Sequence, residues 1–332
     1  MSEPSSSIPT STLEYYQPLP LPEGEPPRPR YWLHGLLLLA TVFTTLVVGA
    51  RMEFNFLHDL PSFTYADEIL PFFPVGWVLA HPSRLLLGIP FSATLLTILL
   101  AHEMGHYLYC RYYGVSATLP FFIPAPTLIG TLGAVIRIKA KIPSRKALFD
   151  IGIAGPIAGF VVAVITLIFA MTLSKPLGAG TGASDVHLGF PAIFYVVHDA
   201  LHRLAPGFPI AALPLHRVYL HPTAIAAWVG MFATALNLLP SSQLDGGHIV
   251  YALSARAHRV ISWITVAVLL YLGRLYVGWY VWAGLITAMN VLTYRQQQAP
   301  EYPRLPASRW LLGILALLML LLTFTISPMN WR

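Results

Sequence analysis

Cysteine is almost missing from this chain. Cys110 is the single one in 332 residues, so an internal disulfide framework is excluded. Charge is scarce too. Lys, Arg, Asp and Glu make up 10% of the chain, where soluble globular proteins carry about a quarter. No internal repeat is present. What remains is apolar: 56% of residues are hydrophobic and the mean hydropathy is +0.64. So little charge spread over so much apolar surface excludes an ordinary soluble domain. It predicts an all-α polytopic membrane protein built as one helical bundle.

Residues 1–30 depart from this pattern. They hold eight prolines and few aliphatic side chains. Such a segment cannot bury enough apolar surface to fold alone, so it reads as a disordered, Pro-rich cytosolic tail. The transmembrane domain then runs over 31–328. A bilayer is crossed by about 20 apolar residues in a helix. Candidate spans are 32–50, 85–112, 149–174, 223–240, 259–274, 276–293 and 310–327, giving six to eight transmembrane helices with seven as the working number. The pair 259–274 and 276–293 reads either as two tight spans or as a re-entrant element.

The net charge of +6 invites a nucleic-acid reading. Lys and Arg positions argue for the membrane instead. With the N-terminus inside and seven alternating spans, thirteen Lys and Arg fall inside and seven outside. This is the bias expected of an inner leaflet, and no nucleic-acid partner is needed to explain it. The expected setting is a multi-pass location in a bacterial inner membrane or an organelle membrane, with the N-terminus cytosolic.

Two stretches do not fit simple spans. Residues 119–138 are apolar but interrupted by Pro120, Pro124, Pro126, Gly130 and Gly133. Irregular backbone at membrane depth survives only when buried in protein or lining a wet cavity. A re-entrant loop with a short β element near 128–138 is predicted. Residues 175–222 form an external loop too short for a full-size module, with short amphipathic helices near 191–204.

The chemistry sits at the end of the second span, in AHEMGHYLYC (101–110). His102 and His106 are spaced i and i+4, on one helix face and roughly 6 Å apart along the axis. Two imidazoles so placed can meet at one Zn²⁺, with Glu103 beside them as a general base. Three ionisable groups in an apolar span are costly unless they have a function. A catalytic zinc needs a third protein ligand. Cys110 continues the i+4 series but lies about 12 Å along the axis from His102, so it reads as a packed thiol. Asp245, in NLLPSSQLDGGH (237–248), falls at the same predicted depth. Gly246 and Gly247 follow it, where the backbone can turn sharply and let a carboxylate approach. Alone, Asp245 would equally serve as a helix cap, and His248 is a rival ligand.

Together, HEMGH in one span and N-x-x-P-x-x-x-L-D-G-G in a later one resemble the site-2 protease family of intramembrane zinc metalloproteases. The similarity is strongest to the branch without a PDZ insertion, which includes plastid membrane members. Residues 119–160 resemble that branch, and the matching core runs from about 85 to 250. The resemblance implies that His102, His106 and Asp245 bind one Zn²⁺ per chain and that Glu103 is the catalytic base. It implies hydrolysis of peptide bonds in or near transmembrane segments of membrane proteins, at a site within the bilayer toward the cytosol. Asn237, a polar side chain in an apolar span, is expected to contact the oxyanion or the substrate backbone. A strand in 128–138 could pair with an unwound substrate. Gly155 and Gly159 form a G-x-x-x-G expected to pack against the HEMGH span. The competing reading is a zinc-binding transporter or a non-proteolytic membrane partner. A transporter would want several ligand clusters along a path. The other i, i+4 pair, His198 and His202, reads as surface pairing. Substrate identity and oligomeric state are not legible.

Overall fold

A computed structural model describes residues 30–61, 63, 73–178, 186–293 and 305–331. The expected disordered tail lies, Arg30 apart, outside the described residues. Ten α-helices are described. They are α1 (Tyr31–Leu57), α2 (Val75–Ala80), α3 (Ile89–Tyr112), α4 (Arg145–Leu173), α5 (Ala192–Leu204), α6 (Pro222–Asn237), α7 (Asp245–Leu253), α8 (Ala255–Leu272), α9 (Gly278–Thr293) and α10 (Ser308–Thr323). Six short strands accompany them: β1 (Phe121–Pro124), β2 (Thr131–Val135), β3 (Lys175–Pro176), β4 (Val186–Leu188), β5 (Val218–Tyr219) and β6 (Met329–Trp331).

Local signals explain the boundaries. Pro90 lies in the first turn of α3, where its missing N–H costs nothing. Ser144 caps α4 by accepting the Ala147 N–H at 3.1 Å, and Ser254 caps α8 through Ala257 at 3.2 Å. Four helical segments are long and apolar enough to cross a bilayer: α1, α3 with its preceding 3₁₀ turn from Pro82, α4 and α8. Helices α6, α9 and α10 have 16 residues each. Many large apolar side chains on these helices face outward, among them Leu39, Ile165, Phe169, Ile264, Leu311 and Leu321. A water-soluble surface rarely presents so continuous an apolar skin, whereas a lipid-facing one requires it.

The core is the three-way packing of α3, α4 and α6. Phe91, Leu95 and Ile98 meet Ala163 and Leu167, and the α6 run Ala224–Val229 closes the cluster. Small residues set the spacing of α3 and α4. A Cβ on Gly105 would fall 2.5 Å from the Ala154 carbonyl oxygen, so the two backbones are in direct contact.

Strands β1 and β2 pair antiparallel, with Phe121 opposite Val135 and Pro124 opposite Thr131. Gly130 and Gly133 take φ of +77° and +102°, which L-residues with a Cβ resist. The hairpin is seated against α1. The Thr44 hydroxyl donates to the Gly130 carbonyl at 2.6 Å, and His34 Nδ1 lies 3.1 Å from the Pro120 carbonyl. At the other end of the bundle, β3 pairs with β5 and β4 with β6, and α5 buries Ile193, Phe194 and Val197.

Several span boundaries differ from expectation: α1 runs on to Leu57 rather than 50, and α10 ends at Thr323 rather than 327. The fourth span, expected over 223–240, stops as a helix at Asn237. The chain then turns through 238–244 and restarts as α7 at Asp245. Gly246 and Gly247 are therefore not the turn itself. They lie in the first helical turn of α7, where a Cβ would come 2.0 Å from the Leu238 carbonyl oxygen and 2.3 Å from that of Ser242 respectively. They let the preceding turn fold back tightly on the helix it leads into.

Candidate active site

Helix α3 carries His102, Glu103 and His106 inward, all buried. Asp245, at the start of α7, meets them. Its Oδ2 lies 3.2 Å from His102 Nε2 and 3.3 Å from His106 Nε2, and the two Nε2 atoms are 3.2 Å apart. His106 Nδ1 is 2.8 Å from the Ile151 carbonyl of α4. A carbonyl can only accept, so the ring proton sits on Nδ1 and the Nε2 lone pair faces the cluster. His106 Nε2 and Asp245 Oδ2 thus converge on His102 Nε2, which can donate at most one hydrogen to them.

A cation resolves that arrangement. Two ligand atoms about 2.0–2.1 Å from a tetrahedral centre stand about 3.3 Å apart, close to the three separations found here. The set of two imidazoles and one carboxylate, with room for a further ligand, is the donor chemistry of a catalytic zinc. Among the described residues, His102, His106 and Asp245 are the group of three whose ligand atoms lie within 4.8 Å of one another.

The other candidates separate clearly. His248 lines the same cavity but stands outside that group. Cys110 is fully buried and packs with Val115 and Ile151, as a structural thiol does. His198 and His202 contact the Ile210 and Ala211 carbonyls at 3.1 and 3.0 Å rather than each other's ligand atoms. Asn237 closes α6 with its Nδ2 3.1 Å from His102 Nε2, which places an amide donor at the rim of the cluster.

The G-x-x-x-G of α4 does more than pack. A Cβ on Gly155 would overlap the His106 ring, 2.1 Å from Nε2, and one on Gly159 would come 3.0 Å from His102 Cβ. These glycines form the slot that seats both imidazoles. Spacing shows that α4 faces the HEMGH helix; it does not show that Gly155 lies directly beneath His106. The Ile151 carbonyl has no sequence signal at all, since any residue type could provide it.

An open cavity of about 260 Å³ leads to the cluster. It is lined by Glu103, Asn237 and Gln243 and by Ala134, Val135 and Ile136, at and just past the end of β2. Ile136 and Glu103 line the same cavity, which brings the end of the hairpin beside the acid. The turn carrying Asp245 is held from α8. Ser262 Oγ accepts the Ser242 N–H at 3.3 Å, and His258 Nε2 lies 3.2 Å from the Ser242 carbonyl. Ser242 itself takes φ +51°, a left-handed conformation these contacts sustain.

Known proteins resemble this chain over much of its length. Residues 90–277 match the model of peptidase family M50. A probable zinc metalloprotease EGY1, chloroplastic, from Arabidopsis thaliana is 28% identical over 316 residues, covering 90% of this chain and 53% of its own length. The protein of the same name from Oryza sativa subsp. japonica is 32% identical over 228 residues, covering 66% of this chain and 37% of its own. A probable zinc metalloprotease EGY2, chloroplastic, from Arabidopsis thaliana is 32% identical over 174 residues, which is 51% of this chain and 29% of that one. This chain therefore spans about half or less of the length of these relatives.

Proposed function

The chain belongs to peptidase family M50, and from that premise and the geometry of its site we propose that it is an intramembrane zinc metalloprotease. It hydrolyses peptide bonds in or near transmembrane segments of membrane proteins. The observation that carries this reading is the convergence of His102 Nε2, His106 Nε2 and Asp245 Oδ2 beside a buried Glu103. These three residues hold one Zn²⁺. When bound, the ion acts as a Lewis acid and brings the pKa of water to about 7.

The rest of the chemistry belongs to the chain's own side chains. Glu103 takes a proton from the attacking water and delivers it to the leaving amine. Asn237 directs its amide N–H at the oxygen on which negative charge develops. The Ile151 carbonyl holds His106 in the tautomer that points Nε2 inward. Substrate has to unwind to expose a peptide bond, since a membrane helix hides its backbone in internal hydrogen bonds. The edge of β2 turned away from β1 offers main-chain partners to the unwound segment, and the residues at its end already line the cavity. The hairpin acts as a re-entrant element at membrane depth. With α6, α9 and α10 added to the four longer segments, the bundle has seven spans. Its active-site end is cytosolic or, in an organelle, on the corresponding side. Both orientation and span number are testable: cysteines at Ser144 and Gly207 should be labelled from opposite sides, and labelling of both from one side would overturn them.

The decisive experiment pairs the wild type with Glu103→Gln. The amide is nearly isosteric but cannot accept the water proton. The variant should bind one zinc per chain, yet cleave a model transmembrane substrate about 10²–10⁴-fold more slowly. Wild-type cleavage by Glu103→Gln would remove the metalloprotease reading and favour a transporter or non-proteolytic partner.

A further inference from the structure

Along α3, beside the face that carries the histidines, a second groove opens between α3, α4 and α10. Its volume is about 720 Å³, larger than the catalytic cavity. Gly105, Leu108, Tyr109 and Tyr112 line it at i, i+3, i+4 and i+7 of α3. Ile153, Ile157, Ala158 and Leu312 form its apolar depth, and Lys146, Arg309, Asp150 and Tyr113 close one end. The polar end is built, not incidental. Arg309 forks onto the buried Asp150, with Nε 3.1 Å from Oδ1 and Nη2 2.8 Å from Oδ2, and the Tyr113 hydroxyl donates to Oδ2 at 2.5 Å. Burial and that bond raise the Tyr113 phenol above its ordinary range, so it stays a donor. Asp150 thereby spends its charge on Arg309. Lys146 is exposed and has no ion-pair partner among the described residues.

The surroundings place this polar end at a membrane surface. Tyr31, Trp32, Tyr109, Tyr112 and Trp310 are all exposed at the same end of the bundle, as an interfacial aromatic belt would be. The bases Arg111, Lys139, Lys141 and Arg145 are at that end too. A narrow apolar slot that runs from a cationic, tyrosine-rich mouth into the bilayer has the complement of one amphiphile. We propose that this groove binds an anionic phospholipid, with its phosphate against Lys146 and the Tyr109 and Tyr112 hydroxyls and one acyl chain lying over Gly105, Ala154 and Ala158. Basic pockets between membrane helices recognise lipid head groups in this way. The bound lipid would bridge α10 to the α3–α4 crossing, directly behind Gly155 and His106.

The test uses the full chain, purified in detergent and stripped of lipid, with dioleoyl phosphatidylglycerol and dioleoyl phosphatidylcholine as probes. Native mass spectrometry reads bound lipid, and the melting temperature reads its effect. Phosphatidylglycerol should be retained preferentially and raise the melting temperature. Lys146→Gln, a change at an exposed site, should weaken its binding about fivefold, the worth of one base near a charged surface. Ala158→Phe should block the slot and lower the binding of phosphatidylglycerol further. Equal retention of the two lipids, or unchanged binding by Lys146→Gln, would overturn the proposal. Competition by glycerol phosphate as effective as that of the intact lipid would also overturn it, because the acyl slot would then be unused.

Discussion

Two histidine–carboxylate pairs sit at opposite ends of α6. Beyond its C-terminus, His102 faces Asp245 at 3.2 Å; at its N-terminus, His221 Nε2 lies 3.4 Å from Glu53 Oε2. Both histidines are buried, and the residue types are alike. The difference lies in where the lone pairs and protons go. His221 Nδ1 accepts the Thr223 N–H at 3.2 Å and so caps α6, and the His221 N–H donates to Ser174 Oγ at 3.1 Å. Nearby, Lys175 pairs with Asp59 at 2.7 Å and lies 4.4 Å over the Phe56 ring. At that end the His221 Nδ1 and backbone N–H are committed to hydrogen bonds and hold helices together, while Glu53 Oε2 meets only the His221 ring. At the other end, two imidazole nitrogens and a carboxylate oxygen stand 3.2–3.3 Å from one another, with the Asn237 amide beside them. Histidine beside carboxylate is thus no metal signature by itself. Converging acceptors without enough donors are.

Substitutions at the two ends should sharpen that distinction. The largest contrast is in metal content. Asp245→Ala should lose bound zinc, measured by elemental analysis of purified protein, whereas Glu53→Ala should keep one per chain. Full retention by Asp245→Ala would pass the third ligand to His248. Next comes Gly155→Ala. Its new methyl would occupy the space of the His106 ring, so metal content should fall nearly as far as in His106→Ala. A Gly155→Ala protein with full zinc would mean that α3 and α4 separate easily at this point. Asn237→Ala should retain zinc but cleave about 10²–10³-fold more slowly, the loss found when one oxyanion donor is removed elsewhere. The smallest effect belongs to His221→Ala. Loss of a helix cap should cost about 1 kcal/mol, visible in thermal denaturation, with zinc content unchanged.

Much of the active-site end is legible in the sequence because its decisive spacing is local. His102, Glu103 and His106 lie within two turns of one helix, and helical geometry alone puts the histidines on one face. Asp245 is harder, since it lies 143 residues from His102; its membrane depth, its isolation between Asp199 and Glu301, the glycines that follow it and the family resemblance single it out. The fourth span is expected to end at 240 and Gly246-Gly247 to allow a sharp turn after Asp245, whereas α6 ends at Asn237 and the glycines serve close packing inside α7. Strand β2 follows from the Pro/Gly-broken stretch. Its partner β1 does not, for Pro120 and Pro124 argue against a strand and the pairing is irregular between Phe122 and Pro124. The Asp150–Arg309 fork is equally hidden, because 159 residues separate its members and neither lies in a motif.

That separation of His102 from Asp245 also has a consequence in time. The histidine helix is complete long before the residue that finishes the cluster has been made. Synthesis at about 5–20 residues per second puts roughly 7–30 s between them. Throughout that interval the nascent chain carries two histidines and a glutamate in the bilayer with no carboxylate opposite. The turn that brings Asp245 waits longer still, for α8 must arrive before Ser262 and His258 can hold Ser242. On the proposed function, a chain assembled in this order becomes competent only after its own later helices have docked.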